Sequence, residues 1–169
     1  PSLFGDDYGG GIWNNINGTL EIEDSLITGN RSKGGGGIYN QGSATITNST
    51  LSNNLTPFSG GAIDNTGTLT VESSLFSGNL GANHAAIRNT SGSITLRNST
   101  LTDNSATFTG GAIGNENFGT PAELTVINST IFDNIANGAT RIGGIVNNNA
   151  TVTIRNSIVA GNTGDADIT

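Results

Sequence analysis

The sequence predicts an all-β fold: a right-handed parallel β-helix of about six coils, with three short strands per coil. Three observations carry that expectation. A Gly-rich phrase recurs as Gly9-Gly10-Gly11-Ile12-Trp13-Asn14, Gly35-Gly36-Gly37-Ile38-Tyr39-Asn40, Gly60-Gly61-Ala62-Ile63-Asp64-Asn65, His84-Ala85-Ala86-Ile87-Arg88-Asn89, Gly110-Gly111-Ala112-Ile113-Gly114-Asn115 and Ile142-Gly143-Gly144-Ile145-Val146-Asn147. A second phrase closes each time on Asn, at Asn30, Asn54, Asn79, Asn104, Asn134 and Asn162. Between the two lies a segment of alternating apolar and polar residues. A fixed period of about 25 residues marks a stacked-repeat architecture.

Each coil has the same internal order. The Ile of the Gly-rich phrase opens one strand. A short turn leads to a second, whose alternating core is Leu20-Glu21-Ile22, Ala44-Thr45-Ile46, Leu69-Thr70-Val71, Ile94-Thr95-Leu96, Leu124-Thr125-Val126 and Val152-Thr153-Ile154. Period-two alternation rich in β-branched residues means one buried face. A corner bearing Ser25, Ser49, Ser74, Ser99, Ser129 or Ser157 follows. The third strand then places Ile27, Leu51, Phe76, Leu101, Ile131 or Val159 inward. One coil holds too little apolar surface for a core, whereas stacked coils bury it continuously. A sandwich needs hairpins and antiparallel registers, and it does not demand the same residue at the same place in every repeat.

The repeated Asn residues follow from this stacking. Asn over Asn hydrogen-bonds along the column and to turn backbone, which satisfies polar groups that are costly to bury. Gly-Gly permits φ > 0 and close approach of coils. Coil four has His84-Ala85 instead, so its bend is expected to differ. In coil five Glu116 to Ala122 is inserted before the second strand, and Asn137 to Arg141 lengthens the following loop. Loops on a rigid scaffold are common recognition sites, although solenoid loops also tolerate insertions without function.

The 169 residues suffice for one domain with a core. Only 11% are charged and 33% hydrophobic, and 26 are Gly, so the polarity resides in Asn, Ser and Thr. A net charge of -7 with six scattered Arg and Lys argues against nucleic acid as a partner. The absence of Cys excludes disulfides, thiolate metal sites and a Cys nucleophile. No apolar run has the length of a membrane span. The chain begins at Pro1 rather than Met, which reads as a processed product or part of something longer. Leu3 and Phe4 are candidate plugs for the first coil. Neither end resembles a complete cap, so end-to-end self-association or continuation into a longer β-helix is expected.

The phrases resemble the paired GGAI and FxxN repeats of the polymorphic outer-membrane proteins, and similar repeats of large secreted bacterial β-helix proteins. Gly60 to Ile63 and Gly110 to Ile113 match the first motif, and Phe76 to Asn79 the second. The resemblance covers essentially the whole chain. It implies a parallel β-helix, export to the cell surface, adhesive or display roles with a surface glycan or host ligand as partner, and no catalytic residues.

Other chemistry was weighed from the residues. Asp103 and Asp133 stand one coil apart before the closing Asn. Such a pair can bind calcium or share a proton, but Asp is also an ordinary turn residue. The tail Asp165 to Asp167 is a further calcium candidate without the nonapeptide repeat that would support it. No other cofactor is expected. Arg97 stands over Glu72 and Arg88 over Asp64, as salt partners across the ladder. His84, the only His, has no partner constellation visible in the sequence and reads as structural or exposed. Trp13 and Tyr39 occupy adjacent coils with outward parity and offer a sugar-stacking platform, or simply cover the strand. The columns Thr19, Ser43, Thr68, Ser93, Glu123, Thr151 and Glu21, Thr45, Thr70, Thr95, Thr125, Thr153 resemble an ice-binding face, although Thr is generally favoured on strands. Eight Asn-x-Ser/Thr triplets, at Asn17, Asn30, Asn48, Asn54, Asn89, Asn98, Asn128 and Asn149, are acceptor patterns for glycans in a eukaryotic secretory route, yet most follow from the repeat itself. The expected function is a non-enzymatic extracellular structural or adhesive segment. The alternatives are a carbohydrate-binding or polysaccharide-degrading β-helix, and ice binding.

Overall fold

A computed structural model describes residues 8–138 and 141–169. Leu3 and Phe4, the expected plugs, lie outside the described residues, as do two residues of the 137–141 loop. The described residues form a parallel β-solenoid of about six turns, without helix. Its first face is a seven-stranded sheet: Ile12–Asn14, Ile38–Asn40, Ile63–Asn65, Ile87–Thr90, Ile113–Glu116, Ile142–Asn148 and Ala166–Ile168. The second face has six strands: Thr19–Glu23, Ser43–Thr47, Thr68–Glu72, Ser93–Arg97, Glu123–Ile127 and Thr151–Arg155. The third also has six, from Leu26–Thr28 to Ile158–Ala160. All pairings are parallel, each strand with its equivalent one coil away. A fourth, three-stranded sheet of Leu80–Asn83, Ser105–Thr109 and Ile135–Ala136 lies where the sequence suggested only a loop.

The register matches the phrases residue for residue. Ile63 lies between Ile38 and Ile87, and Thr95 between Thr70 and Thr125. Each inner coil turns four aliphatic or aromatic side chains inward. In coil three these are Ile63, Leu69, Val71 and Phe76, all 0–1% exposed. Like thus packs on like along the axis, and the core has no break between coils.

Three polar ladders run beside this core. In the first, each Asn donates forward: Asn54 Nδ2 to Asn79 Oδ1 (3.1 Å), Asn79 to Asn104 (2.9 Å), Asn104 to Asn134 (2.8 Å) and Asn134 to Asn162 (2.9 Å). The last member, Asn162, donates to Asp167 Oδ1 at 2.8 Å. A ladder that donates in one direction needs only an acceptor at its end, and an ionised carboxylate is acceptor-only. A second ladder joins the Asn residues of the Gly-rich phrase, from Asn14 through Asn40, Asn65, Asn89 and Asn115 to Asn147, at 2.7–3.0 Å. In the third, each Ser hydroxyl donates to the carbonyl two residues back. It also accepts the corner Ser N–H of the preceding coil, as in Ser49 N–H to Ser74 Oγ at 3.1 Å. The backbone groups that a parallel coil must bend at its corners are satisfied in this way.

The bend of coil four does not differ, contrary to expectation. His84 adopts φ 49, alongside 73 at Gly60 and 68 at Gly110. Coils above and below dictate this: His84 N–H donates to Thr109 O at 2.9 Å, and Gly60 N–H donates to His84 O at 2.9 Å. The hydrogen bonds between coils hold a non-Gly residue in the left-handed region, at a cost of roughly 1–2 kcal/mol.

Candidate functional site

The first face presents one outward column, in order Trp13, Tyr39, Asp64, Arg88, Gly114 and Val146. Regular alternation makes this a solvent-facing position, yet Asp64 is 4% exposed. A Cβ on Gly34 would stand 3.4 Å from Asp64 Oδ2, and Arg88 lies on its other side. His84, in the bend before Arg88, is 3% exposed, and its ring lies across the backbone of coil five. A Cβ on Gly114 would stand 2.1 Å from His84 Cδ2, and one on Gly110 would stand 2.3 Å from it. The His ring therefore requires glycine at both places. Here a Gly column carries a histidine, and the neighbouring side-chain column carries a glycine. That complementary exchange was the signal in the sequence, and it was missed because the two positions were read separately.

Four titratable groups meet there. Arg88 sits between two carboxylates, with Nε donating to Glu116 Oε2 at 3.2 Å and Nη1 3.6 Å from Asp64 Oδ2. His84 Nε2 is 3.7 Å from Glu116 Oε1. The Phe118 ring lies 5.8 Å from the Arg88 guanidinium, a cation–π contact from the outer side. The partners that the sequence did not reveal for His84 are thus Glu116 and, beside it, Arg88. Glu116 belongs to the coil-five insertion, where counting by period fails. The Arg88–Asp64 pairing was expected and is present. Arg97 and Glu72 are register neighbours, but Glu72 Oε1 accepts from Asn98 Nδ2 at 2.7 Å.

Burial dominates the electrostatics. Loss of water pushes the Asp64 carboxyl up to about 6, with Glu116 adding to the rise and Arg88 opposing it. Loss of water pushes His84 down to about 4, with Arg88 acting in the same direction and Glu116 against it. His84 is therefore neutral at pH 7, and among the described residues neither of its ring nitrogens has a hydrogen-bond partner, nor does Asp64 Oδ1. A strained backbone and unsatisfied buried polar atoms at one place are the usual mark of a functional site rather than a stabilising one.

The other sequence candidates sit elsewhere. Asp103 and Asp133 are exposed corner residues with φ 56 and 54, in a column whose other members are Gly29, Asn53, Gly78 and Gly161, all at positive φ. Asn, Asp and Gly are the residues that tolerate this conformation, so backbone geometry accounts for the pair. Asp103→Gly is expected to leave stability unchanged or raise it by up to about 1 kcal/mol, and Asp103→Val to lower it by about 1–2 kcal/mol. Thermal unfolding with and without calcium checks this: a melting temperature raised by calcium only in the wild type would restore a cation role. Among the described residues no group of three or more His, Asp or Glu is placed to hold a metal ion. In the tail, Asp167 closes the Asn ladder and Asp165 faces Arg141 Nε at 3.7 Å.

Trp13 and Tyr39 are register neighbours. The ring of Tyr39 pairs with that of Tyr8, with centroids 4.7 Å apart, and Trp13 Nε1 donates to Gln41 Oε1 at 3.1 Å. The two Thr-rich columns keep the expected register. Of the eight triplets, Asn54 and Asn89 are fully buried ladder members with their amides engaged, whereas Asn48, Asn98 and Asn128 are exposed. No helix among the described residues is long and apolar enough to cross a membrane.

No family model matches the chain, and no curated protein or solved structure matches it.

Proposed function

We propose that the chain is a non-enzymatic extracellular segment of a surface protein or fibre, a rigid rod that carries an adhesive patch on its first face. The reading is supported above all by the uneven distribution of polar chemistry. Ladders of Asn and Ser repeat in every coil and give stiffness. Among the described residues, buried unsatisfied polar atoms instead gather in coils three and four of one face, as Asp64 Oδ1 and both His84 ring nitrogens do. Arg88 is held between two carboxylates, an arrangement for positioning hydrogen bonds rather than for cycling protons. The GGAI and FxxN phrases agree with this reading by resemblance. At the last coil Val152, Ile154 and Val159 are only half-buried, whereas Leu124, Val126 and Ile131 one coil earlier are 0–1% exposed. Another layer, from the same protein or a second copy, would cover them.

The test pairs a binding assay on cell-surface preparations with a degradation screen on neutral and acidic polysaccharides, with and without calcium. Surface binding without product is the expected outcome. Turnover of any polysaccharide, or no binding to any surface, would overturn the reading. One observation favours a second role: Thr45, Thr70, Thr95, Thr125 and Thr153 form an uninterrupted threonine column. Ice binding through it requires thermal hysteresis that Thr95→Lys abolishes.

A further inference from the structure

We propose that the cleft beside Asp64 and Arg88 binds one neutral hexopyranose residue of a glycan, its ring held between Phe58 and Phe108. The inference supplies a ligand class for the adhesive reading and rests on it.

Three features point there. The first is a slot. Ser59 bridges to Asn83, and Asn83 pairs with Thr109, so the preceding residues Phe58, Ala82 and Phe108 stand on successive coils. Two large apolar side chains, 57% and 56% exposed, thus flank an alanine. Their anchors are two strand spacings apart, roughly 10 Å. Two carbon–carbon contacts take up about 7–8 Å. The remainder leaves room for a single ring between them, across the register shift at Ala82. The cleft holds about 720 Å³, within the range of small-ligand sites.

The second feature is the floor. Asp64 and Arg88 both line the cleft. The Asp64 side chain is more than nine-tenths buried, and no described donor reaches its Oδ1. A sugar hydroxyl can donate to this carboxylate where it borders the cleft, while Arg88 offers N–H groups to a neighbouring hydroxyl. Vicinal hydroxyls combined with an apolar ring face are the chemistry of a pyranose; a purely apolar ligand would leave the Asp64 acceptor as unmet as it is in the free chain.

The third feature is charge. Arg88 already lies between the carboxylates of Asp64 and Glu116, and the chain carries -7 overall. A uronate carboxylate would meet Asp64 directly, and Lys33, the other cation lining the cleft, already has an interaction of its own. That selects a neutral sugar over an acidic one.

Isothermal titration of the full chain with glucose-, mannose- and galactose-based neutral hexasaccharides, and with hexagalacturonate, tests the assignment. At least one neutral hexasaccharide is expected to bind one to one. Phe58→Ala combined with Phe108→Ala should weaken it at least about tenfold, and Asp64→Asn should weaken it by a similar factor. Both phenylalanines are exposed, so the double variant should keep the wild-type melting temperature and circular dichroism. Binding of hexagalacturonate alone, no neutral binding at millimolar concentration, or affinity unchanged in the double variant would overturn the assignment. Surface adhesion measured on the same variants separates the two readings. Adhesion that persists without saccharide binding leaves the adhesive role standing and removes the cleft. Saccharide binding without adhesion does the reverse.

Discussion

Asn79→Ala lowers the free energy of unfolding by about 3–5 kcal/mol, the largest loss expected from any exchange in the polar columns. Asn79 is fully buried, and its side chain and N–H take part in five hydrogen bonds. Its Nδ2 donates to Leu51 O at 2.9 Å and to Asn104 Oδ1 at 2.9 Å, and its N–H donates to Asn104 Oδ1 at 3.1 Å. Its Oδ1 accepts Asn54 N–H at 3.0 Å and Asn54 Nδ2 at 3.1 Å. Alanine leaves the Asn54 N–H without its acceptor at a dry position, and water has no route to replace it. Asn79→Asp distinguishes volume from hydrogen bonding. It keeps the acceptor that Asn54 needs but loses both side-chain donations and buries a charge, so it should be no better than alanine near neutral pH. The same carboxylate at position 167 is tolerated because Asp167 terminates the ladder beyond Asn162 and only accepts. Urea unfolding measures both variants; a loss under about 1 kcal/mol for Asn79→Ala would show that the ladder is ornamental rather than structural.

The rungs were legible in the sequence because each position serves the same neighbour in every coil. Ile38, Ile63 and Ile87 face one environment, so selection for packing writes one residue type at one interval. The Asn ladder at positions 30 to 162 was legible for the same reason. The second ladder, from Asn14 to Asn147, stood in the quoted phrase but was not read as a ladder, since an Asn ending a strand can equally be a turn residue. The fourth sheet was hidden by loop lengths that vary, which blur the period where Leu80–Asn83 and Ser105–Thr109 pair with a register shift. For Asp103 and Asp133 the turn reading gains support from their column, which Gly29, Asn53 and Gly78 share at positive φ. The cluster around His84 was illegible for the opposite reason. It arises where the repeat is broken in two coils at once, by a histidine in place of glycine and a glycine in place of a side chain. Periodicity reports what is common to the coils, whereas a site is what one coil does differently.

That cluster has a measurable consequence between about pH 4 and pH 6. Asp64 gives up its proton at about 6 in the fold and at its ordinary 3.8 when unfolded. Across that interval the folded chain holds the extra proton, so the Asp64 contribution to stability falls as pH rises. His84 runs the other way. It titrates at about 4 in the fold and at its ordinary 6.5 when unfolded, so the unfolded chain holds the extra proton and stability falls as pH drops. Each slope is about 1.4 kcal/mol per pH unit, and in the wild type the two oppose one another. Tyr39, which also faces Asp64, is pushed above its ordinary 10.0 by burial, with Asp64 adding to the rise. Removing one partner exposes the other. Asp64→Asn should become more stable by about 2 kcal/mol relative to wild type on going from pH 4 to pH 6, and His84→Gly less stable by a similar amount. Relief of the left-handed backbone in His84→Gly adds a constant gain of roughly 1–2 kcal/mol at every pH, which shifts the curve without changing its slope. Urea denaturation at pH 4, 5 and 6 reads both slopes directly. Parallel curves for the two variants would mean that neither group is withdrawn from water in the fold.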